Sequence, residues 1–380
     1  MLCIKRYVGI FNPNNAHPMI ELKRTYYPIG QGSFYTEVFT KSDNTRFVMV
    51  YDCGSETGNT DMERNLGDQI DDFKQSIGPN PHIDLLFLSH FHADHINGLD
   101  RLLSGVTVEK TVIPMLTMPL LLLTRVRNFL RYRDGARGAD KIVKELYLDG
   151  EHSGHFGDVV VVSPEQDGET EQRDRWFGNG RRLYSGSKLQ YDPFWEFVPF
   201  NSIAPEDQRA INFMNELMQI RGATQNGQLN VDGLIRGCRK KVKEAYRKTM
   251  NNANDNLYSL VVESRPVENV TPVPDVRKSH ALYFGDFDSK NNAALWNRFS
   301  VFYDYNSIGT VQVPHHGSKD NWREEMKTGH TREYVVSSGS TNTYHHPDYW
   351  VVAGIASAGH TVHVVNEKVA SKFEETFRIV

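Results

Sequence analysis

The run "SHFHADHINGL", residues 89–99, sets His90, His92, Asp94 and His95 within six positions at the end of the nearly all-apolar "HIDLLFLSH" of 82–90. An apolar run this short, with no polar alternation, reads as a strand covered on both faces, as in the parallel sheets of α/β proteins. Imidazole or carboxylate buried at such a strand end costs free energy unless each group finds a partner. A lone histidine is more often a hydrogen-bonded structural residue than a ligand. Few structural demands, however, select three imidazoles and a carboxylate at this spacing. The fold is therefore expected to bring further polar groups, and a metal, to this strand end.

The rest of the chain supplies candidates. Residues 20–54 read as strand, turn, strand, breaking at Gly30-Gln31-Gly32 and ending at Asp52 and Gly54. Residues 61–76 read as helix, and helical patterns recur around 96–104 and 119–146, followed by the strand "DVVVVSP" of 158–164. The β pattern resumes in "LYSLVVES" (257–264), "HALYFGDF" (280–287), "GTVQVPHH" (309–316), "YVVSSGS" (334–340) and "TVHVVN" (361–366). Strands alternating with helices make an α/β protein with mixed sheets.

The long polar excursion of 166–250 is expected to be mainly helical. One helix should follow Pro205, with Ala210, Met214, Leu217 and Met218 at helical spacing and Gly222 as a stop. A second is expected from Val231 to Met250, with Ile235, Cys238, Val242, Ala245 and Tyr246 on one face and Arg236, Arg239, Lys240, Lys243 and Arg247 opposite.

The chemistry-bearing residues stand where strands end: Asp52, the His90 cluster, Asp286 after "LYFG", and His315-His316 after "VQVP". Strand ends meeting on one edge of an α/β core are where ligand sites form. Imidazole with carboxylate suits zinc or manganese better than magnesium or calcium. A second carboxylate such as Asp286 would let two ions sit about 3.5–4 Å apart, activating water for attack at phosphorus.

These stretches resemble the metallo-β-lactamase fold, an αββα four-layer sandwich of metal-dependent hydrolases. More narrowly, they resemble the hydrolase domain of the bacterial competence DNA-uptake channel and its stand-alone soluble relatives. "SHFHADHINGL" is similar to the superfamily signature; "PIGQGSFYTEVF", "VMVYDCGS", "LYFGDFD", "VQVPHHGSKDNW" and "STNTYHHP" are similar to motifs of the narrower group. The resemblance implies a catalytic domain over 20–165 and 251–380, with 166–250 inserted. It implies His90 and His92 on one metal, Asp94 and His95 on the other, Asp286 bridging, and one of His315 and His316 completing the second site. Asp52 would hold the metal loop from outside the ligand set, and His346 would contact substrate at the mouth, making Asp94, His95 and His346 the catalytic residues. One departure stands out. Where the superfamily has Pro-Gly-His-Thr after the strand corresponding to "VVVVS", this chain reads "SPEQDGET", with His152 and His155 upstream as the only local substitutes.

The function expected is a metal-dependent phosphodiesterase or nuclease acting on DNA, with one or two divalent ions, zinc or manganese. The alternative on the same fold is a small-molecule hydrolase opening a lactone, lactam or cyclic nucleotide. A binding or regulatory module that has lost activity is disfavoured by the intact motifs. The net charge of -4 gives no global nucleic-acid signature. Two basic runs, the helix of 231–250 and "TRVRNFLRYRDGARG" (124–138) with its five arginines, read as well as phosphate-tracking surfaces as they do as solvated faces. The insertion is also a place where a protein partner could dock. The most apolar stretch, 115–123, is about half the length that spans a bilayer. With three scattered cysteines and no apolar leader, a cytoplasmic protein is expected.

Overall fold

The computed structural model describes residues 20–57, 62–131, 136–147, 154–164, 181–201, 208–225, 228–250, 258–267, 272–273, 279–290, 297, 303, 305–327, 330 and 332–379. In chain order the first strands are β1 (Ile20–Tyr26), β2 (Gly32–Lys41), β3 (Arg46–Ser55), β4 (His82–Phe87), β5 (Thr107–Pro114), β6 (Asp158–Ser163) and β7 (Arg181–Tyr184). They are joined by β13 (Pro272–Val273) and β18 (Phe373–Ile379) in a nine-stranded sheet ordered β13-β18-β1-β2-β3-β4-β5-β6-β7. The second sheet runs β17-β16-β15-β14-β12-β9-β8. Its members are β8 (Leu189–Tyr191), β9 (Trp195–Phe200), β12 (Val261–Pro266), β14 (Ala281–Tyr283), β15 (Thr310–Gln312), β16 (Glu333–Ser337) and β17 (Thr361–Val365). A small hairpin, β10 (Thr224–Gln225) with β11 (Gln228–Leu229), stands apart.

Period-2 alternation sorts the core into layers. In β4 and just beyond it, Leu85 and Phe87 face the second sheet while Leu86 and Leu88 face helices on the other side. That is why this strand shows no polar alternation. Three buried clusters follow: one between the first sheet and its helices, one between the sheets, and one outside the second sheet. Three apolar layers require four layers of structure, helix, sheet, sheet, helix, and this is the αββα architecture of the metallo-β-lactamase fold.

The helices of the first outer layer are α1 (Met62–Ser76), α2 (Ala93–Ile96), α3 (Leu99–Leu103), α4 (Met118–Arg131) and α5 (Ala136–Tyr147). Beyond β9 come α6 (Gln208–Met218), α7 (Val231–Gly237) and α8 (Arg239–Met250), which pack together and on α4. The remaining long helix is α9 (Tyr349–Ser357). Among the described residues no helix is long and apolar enough to cross a membrane.

The excursion expected over 166–250 differs in two ways. Residues 181–200 return to the sheets as β7, β8 and β9, and among the described residues of the excursion the first α-helix starts at Gln208. Trp195, Phe197, Val198 and Phe200 are buried, and an apolar run of this kind belongs in a core. The expected helix from Val231 to Met250 is two helices, because Cys238 leaves helical geometry (φ -128, ψ 24) after Gly237. Val242, Ala245 and Met250 are buried, Cys238 and Tyr246 half-buried; the Ile235 side chain lies outside the described set.

Candidate metal centre

The centre forms where strands of both sheets end. Asp52 lies in β3; the loop after β4 carries His90 and His92 and enters α2 with Asp94 and His95; Asp286 follows β14, and His315 and His316 follow β15. Backbone contacts fix these loops to one another. Leu260 N donates to Ser89 O, joining the metal loop to the second sheet at 2.7 Å, and His315 N donates to Gly285 O at 3.0 Å. The Asn128 side chain of α4 donates to Phe91 O at 2.7 Å. A Cβ added to Gly54 would lie 2.6 Å from Ala93 O and Ile96 N, so only glycine lets β3 approach α2 this closely.

Outer hydrogen bonds set the tautomer of four imidazoles. Asp52 accepts from Ser89 N at 2.7 Å, from Ser89 Oγ at 2.6 Å, and from His95 Nδ1 at 2.7 Å. Ser89 Oγ, its proton given to Asp52, accepts from His90 Nδ1 at 2.9 Å. His316 Nδ1 donates to the Ser337 carbonyl at 2.9 Å, and His315 Nδ1 to Asn321 Oδ1 at 2.7 Å. Each Nδ1 thus carries the proton, and each Nε2 lone pair points inward at carboxylate oxygen. His90 Nε2 is 3.4 Å from Asp286 Oδ2, and His95 Nε2 is 3.2 Å from Asp286 Oδ1. His316 Nε2 is 3.3 Å from Asp94 Oδ2 and 3.8 Å from Asp286 Oδ1, and His315 Nε2 is 3.7 Å from Asp286 Oδ2.

Lone pairs facing carboxylate oxygens need positive charge between them. Asp94 Oδ1, His95 Nε2 and Asp286 Oδ1 are buried without a hydrogen-bond partner. At this centre two groups of donors lie close enough to hold an ion: His90, His92 and Asp286, and Asp94, His95 and His316; a third such group among the described residues, His82, Asp84 and Glu109, lies elsewhere and is more exposed. Nitrogen and carboxylate oxygen in these proportions fit a divalent transition metal. The two oxygens of Asp286 face one group each, which is the disposition expected of a bridging carboxylate.

The electrostatics point the same way. Burial would raise the Asp286 carboxyl, but the surrounding His315, His95, His90 and His316 hold it well below its ordinary value. Burial opposes charge on His95, yet Asp286 and Asp52 outweigh it and lift the ring well above its ordinary value, so a proton takes the Nε2 lone pair where no ion does. Burial drives the His92 imidazole well down, with the Arg127 guanidinium adding to the drop. Asp52, His315 and His316 adopt φ of 57°, 49° and 55°. Left-handed backbone at non-glycine residues costs on the order of 1–3 kcal/mol each, and it clusters at functional sites.

His346 lies at the mouth, half-buried, its ring centre 5.4 Å from that of His315 and 6.4 Å from that of His316. Burial and the neighbouring imidazoles push it down to about 4, so it is neutral at pH 7. Asn342, from the "STNTYHHP" stretch, holds its backbone on both sides: Nδ2 donates to His346 O and Oδ1 accepts from His346 N.

Other expected residues lie elsewhere. His155 is exposed and belongs to neither donor group; His152 and residues 165–180 lie outside the described residues. Lys240, Lys243 and Arg247 are exposed on α8. Arg239 is not part of an outward stripe: its guanidinium lies 4.5 Å over the Phe129 ring and donates to Leu130 O. The Arg236 side chain lies outside the described set.

The run of 124–138 contributes differently from a solvated face. Arg125 is buried in ion pairs with Asp140 and Asp232, and Arg127 of α4 lies against the His92 ring. Ser89, Asn128, Arg127 and Asn321 carry no sequence signal of their own, since each acts through a neighbour that only the fold supplies.

No curated protein sequence matches the chain. Among solved structures it is similar to the metallo-beta-lactamase fold protein YhfI from Bacillus subtilis, at 9% identity and TM-score 0.37, covering 93% of this chain and 100% of that one. It is also similar to Zn(2+)-bound PqqB from Methylobacterium extorquens, at 9% identity and TM-score 0.39, covering 94% and 99%. A long form RNase Z from yeast matches at 9% identity and TM-score 0.34, covering 83% of this chain and 37% of that one. Residues 42–183, which span β3 to the start of β7 and contain the whole His90–His95 run, match the model of the Metallo-beta-lactamase superfamily.

Proposed function

We propose that the chain is a metal-dependent hydrolase whose ligands are His90, His92, Asp94, His95, Asp286 and His316, and that its substrate is a DNA phosphodiester. The observation behind this reading is the set of imidazole lone pairs aimed at Asp94 and Asp286 in a buried pocket. A zinc or manganese ion bound there supplies an activated water and Lewis-acid stabilisation of charge on phosphoryl oxygen. The chain's own residues do the rest. Asp52 and Ser89 keep His90 and His95 in one tautomer and orientation. His316 rather than His315 completes the second group, because it reaches Asp94. His346, neutral at the mouth, offers a ring N–H to a leaving or phosphoryl oxygen.

Three features favour a polymer over a small molecule. The motifs resemble those of a DNA-processing group, and α8 presents Lys240, Lys243 and Arg247 to solvent. Tyr344 is 48% exposed and stacks on His346 at 5.9 Å, a platform on which a base can lie. Cys53 and Cys238 are free thiols, which suits the reducing cytosol we infer as its setting.

Purified protein with manganese or zinc should cleave linear, circular or single-stranded DNA, and Asp94→Ala or His95→Ala should abolish cleavage while the fold persists. DNA left intact across metals, with turnover of a lactone or cyclic nucleotide instead, would put the small-molecule hydrolase in its place.

A further inference from the structure

We propose that Tyr349 and Trp350, at the start of α9, form a stacking platform that holds the bases of a single DNA strand beside the bond cut at the metal centre. This rests on the DNA phosphodiesterase reading above and names the form of its substrate. Among the described residues these two are the most exposed large apolar side chains, at 72% and 74%. A large apolar side chain exposed alone needs no explanation, but adjoining ones mark a binding surface. The two rings meet edge to face, their centres 5.5 Å apart at 73°. Tyr344, stacked on His346, precedes them on the same stretch of chain. Trp350 follows His346 by four positions, at most about 14 Å between Cα atoms, so the pair stands close to the mouth.

The backbone fixes this placement. Asp348 caps α9, its Oδ1 accepting from Trp350 N at 2.9 Å, and Asp348 N donates at 2.9 Å to the carbonyl of Gly317, the residue after His316. Val351 and Ile355 bury the opposite side of the helix. A platform already held rigid loses little conformational freedom when a base settles on it. Its surroundings point to a nucleic acid. Thr341, Thr343 and His345 on the adjoining loop are exposed, so the rings rise from polar surface rather than from the apolar core of a protein interface. Two exposed lysines stand beside the cap. Lys319 Nζ is 3.7 Å from Asp348 Oδ2; Lys290 Nζ donates to Lys319 O at 2.9 Å and lies 4.0 Å from Asp320 Oδ1. Exposed ion pairs this long contribute little, so phosphate oxygens compete for both ammonium groups. Aromatic faces with cations beside them bind single strands whatever their sequence. In a duplex each base face is already covered by its neighbours, so the platform selects unpaired strand.

The test is the affinity of full-length protein for a fluorescent oligothymidylate, alone and paired with its complement, measured by anisotropy in chelator so that nothing is cut. Wild type should bind the single strand more tightly than the duplex. Trp350→Leu keeps apolar bulk but has no π face, and should weaken single-strand binding about 5–150-fold, the usual worth of one stacked base. Trp350→Phe should restore most of the loss, and Tyr349→Leu should act in the same direction as Trp350→Leu. Circular dichroism confirms that each variant is folded. A wild type that prefers the duplex, a Trp350→Leu protein that binds as tightly as wild type, or equal losses on both DNA forms would overturn the platform and leave the nuclease reading in place. So would sedimentation showing a wild-type dimer and a Trp350→Leu monomer, since a second copy would then cover the rings. A wild type that neither binds DNA in chelator nor cuts it with manganese or zinc would instead remove the DNA function itself.

Discussion

Asp52 shows how one buried carboxylate sets up a centre it does not join. It takes three hydrogen bonds, two from Ser89 and one from His95, and through them fixes two imidazoles. Removing such an outer partner typically costs 10–100-fold in metal affinity. Asp52→Ala should therefore weaken zinc binding by about 10–100-fold in a calorimetric titration, and unchanged affinity would mean the rings orient themselves. His346 predicts the opposite split. His346→Ala should lower turnover about 10²–10⁴-fold, the usual worth of a proton-transfer group, while elemental analysis finds the metal content intact.

At this scale the sequence was readable where spacing itself encodes chemistry, as in His90-x-His92-x-Asp94-His95. It was silent where a role depends on helix rotation. Arg127 and Asn128 look like any polar pair in "TRVRNF" until α4 turns them toward the loop. His315 and His316 were indistinguishable in sequence as well. The left-handed turn at both residues sends one ring to Asp94 and the other toward His346.

Between elements, the contact of β3 with α2 is a tight joint near the centre. Gly54→Ala pushes a methyl group into the Ala93 carbonyl and the Ile96 amide. Overpacking of this kind costs about 1–3 kcal/mol. Because it displaces the loop bearing Asp94 and His95, the variant should lose metal content as well as thermal stability. Full metal content would mean that the loop moves as a rigid unit.

Strands covered on both faces announced themselves by composition, as β4 and β6 did. The strands not anticipated were β5, β7 to β11, β13 and β18. In β18, "FEETFRI" alternates exposed charge with partly buried residues at the sheet margin, and β7 is an edge strand beginning with two arginines. Position in a sheet, not local propensity, makes such segments strands. The break between α7 and α8 was hidden for the same reason, since Arg239 gains from turning back onto Phe129.

Across the whole molecule, the two sheets are joined by charge as well as by apolar packing. Arg24 in β1 is fully buried, donating to Glu37 at 2.7 Å, to Glu375 at 3.0 Å and to Ser279 O at 2.8 Å. Glu37 also accepts from Ser264 and Tyr283 of the opposite sheet. Arg24→Met leaves Glu37 charged and uncompensated between the sheets. Breaking a buried pair from one side costs about 3–5 kcal/mol. Chemical denaturation should show a loss of that order, and a change under about 1 kcal/mol would mean water reaches Glu37.

In the proposed function a bound ion links this scaffold to its chemistry. An ion that binds only the folded chain stabilises it by about 2.7 kcal/mol at a free concentration 100 times its dissociation constant. The most direct measurement is a titration of chelator-stripped wild-type and Asp286→Ala protein with zinc. The account predicts saturable binding with a rise in unfolding temperature for wild type, and loss of both in the variant. Absence of binding to the folded wild type, or equal binding by the variant, would contradict it.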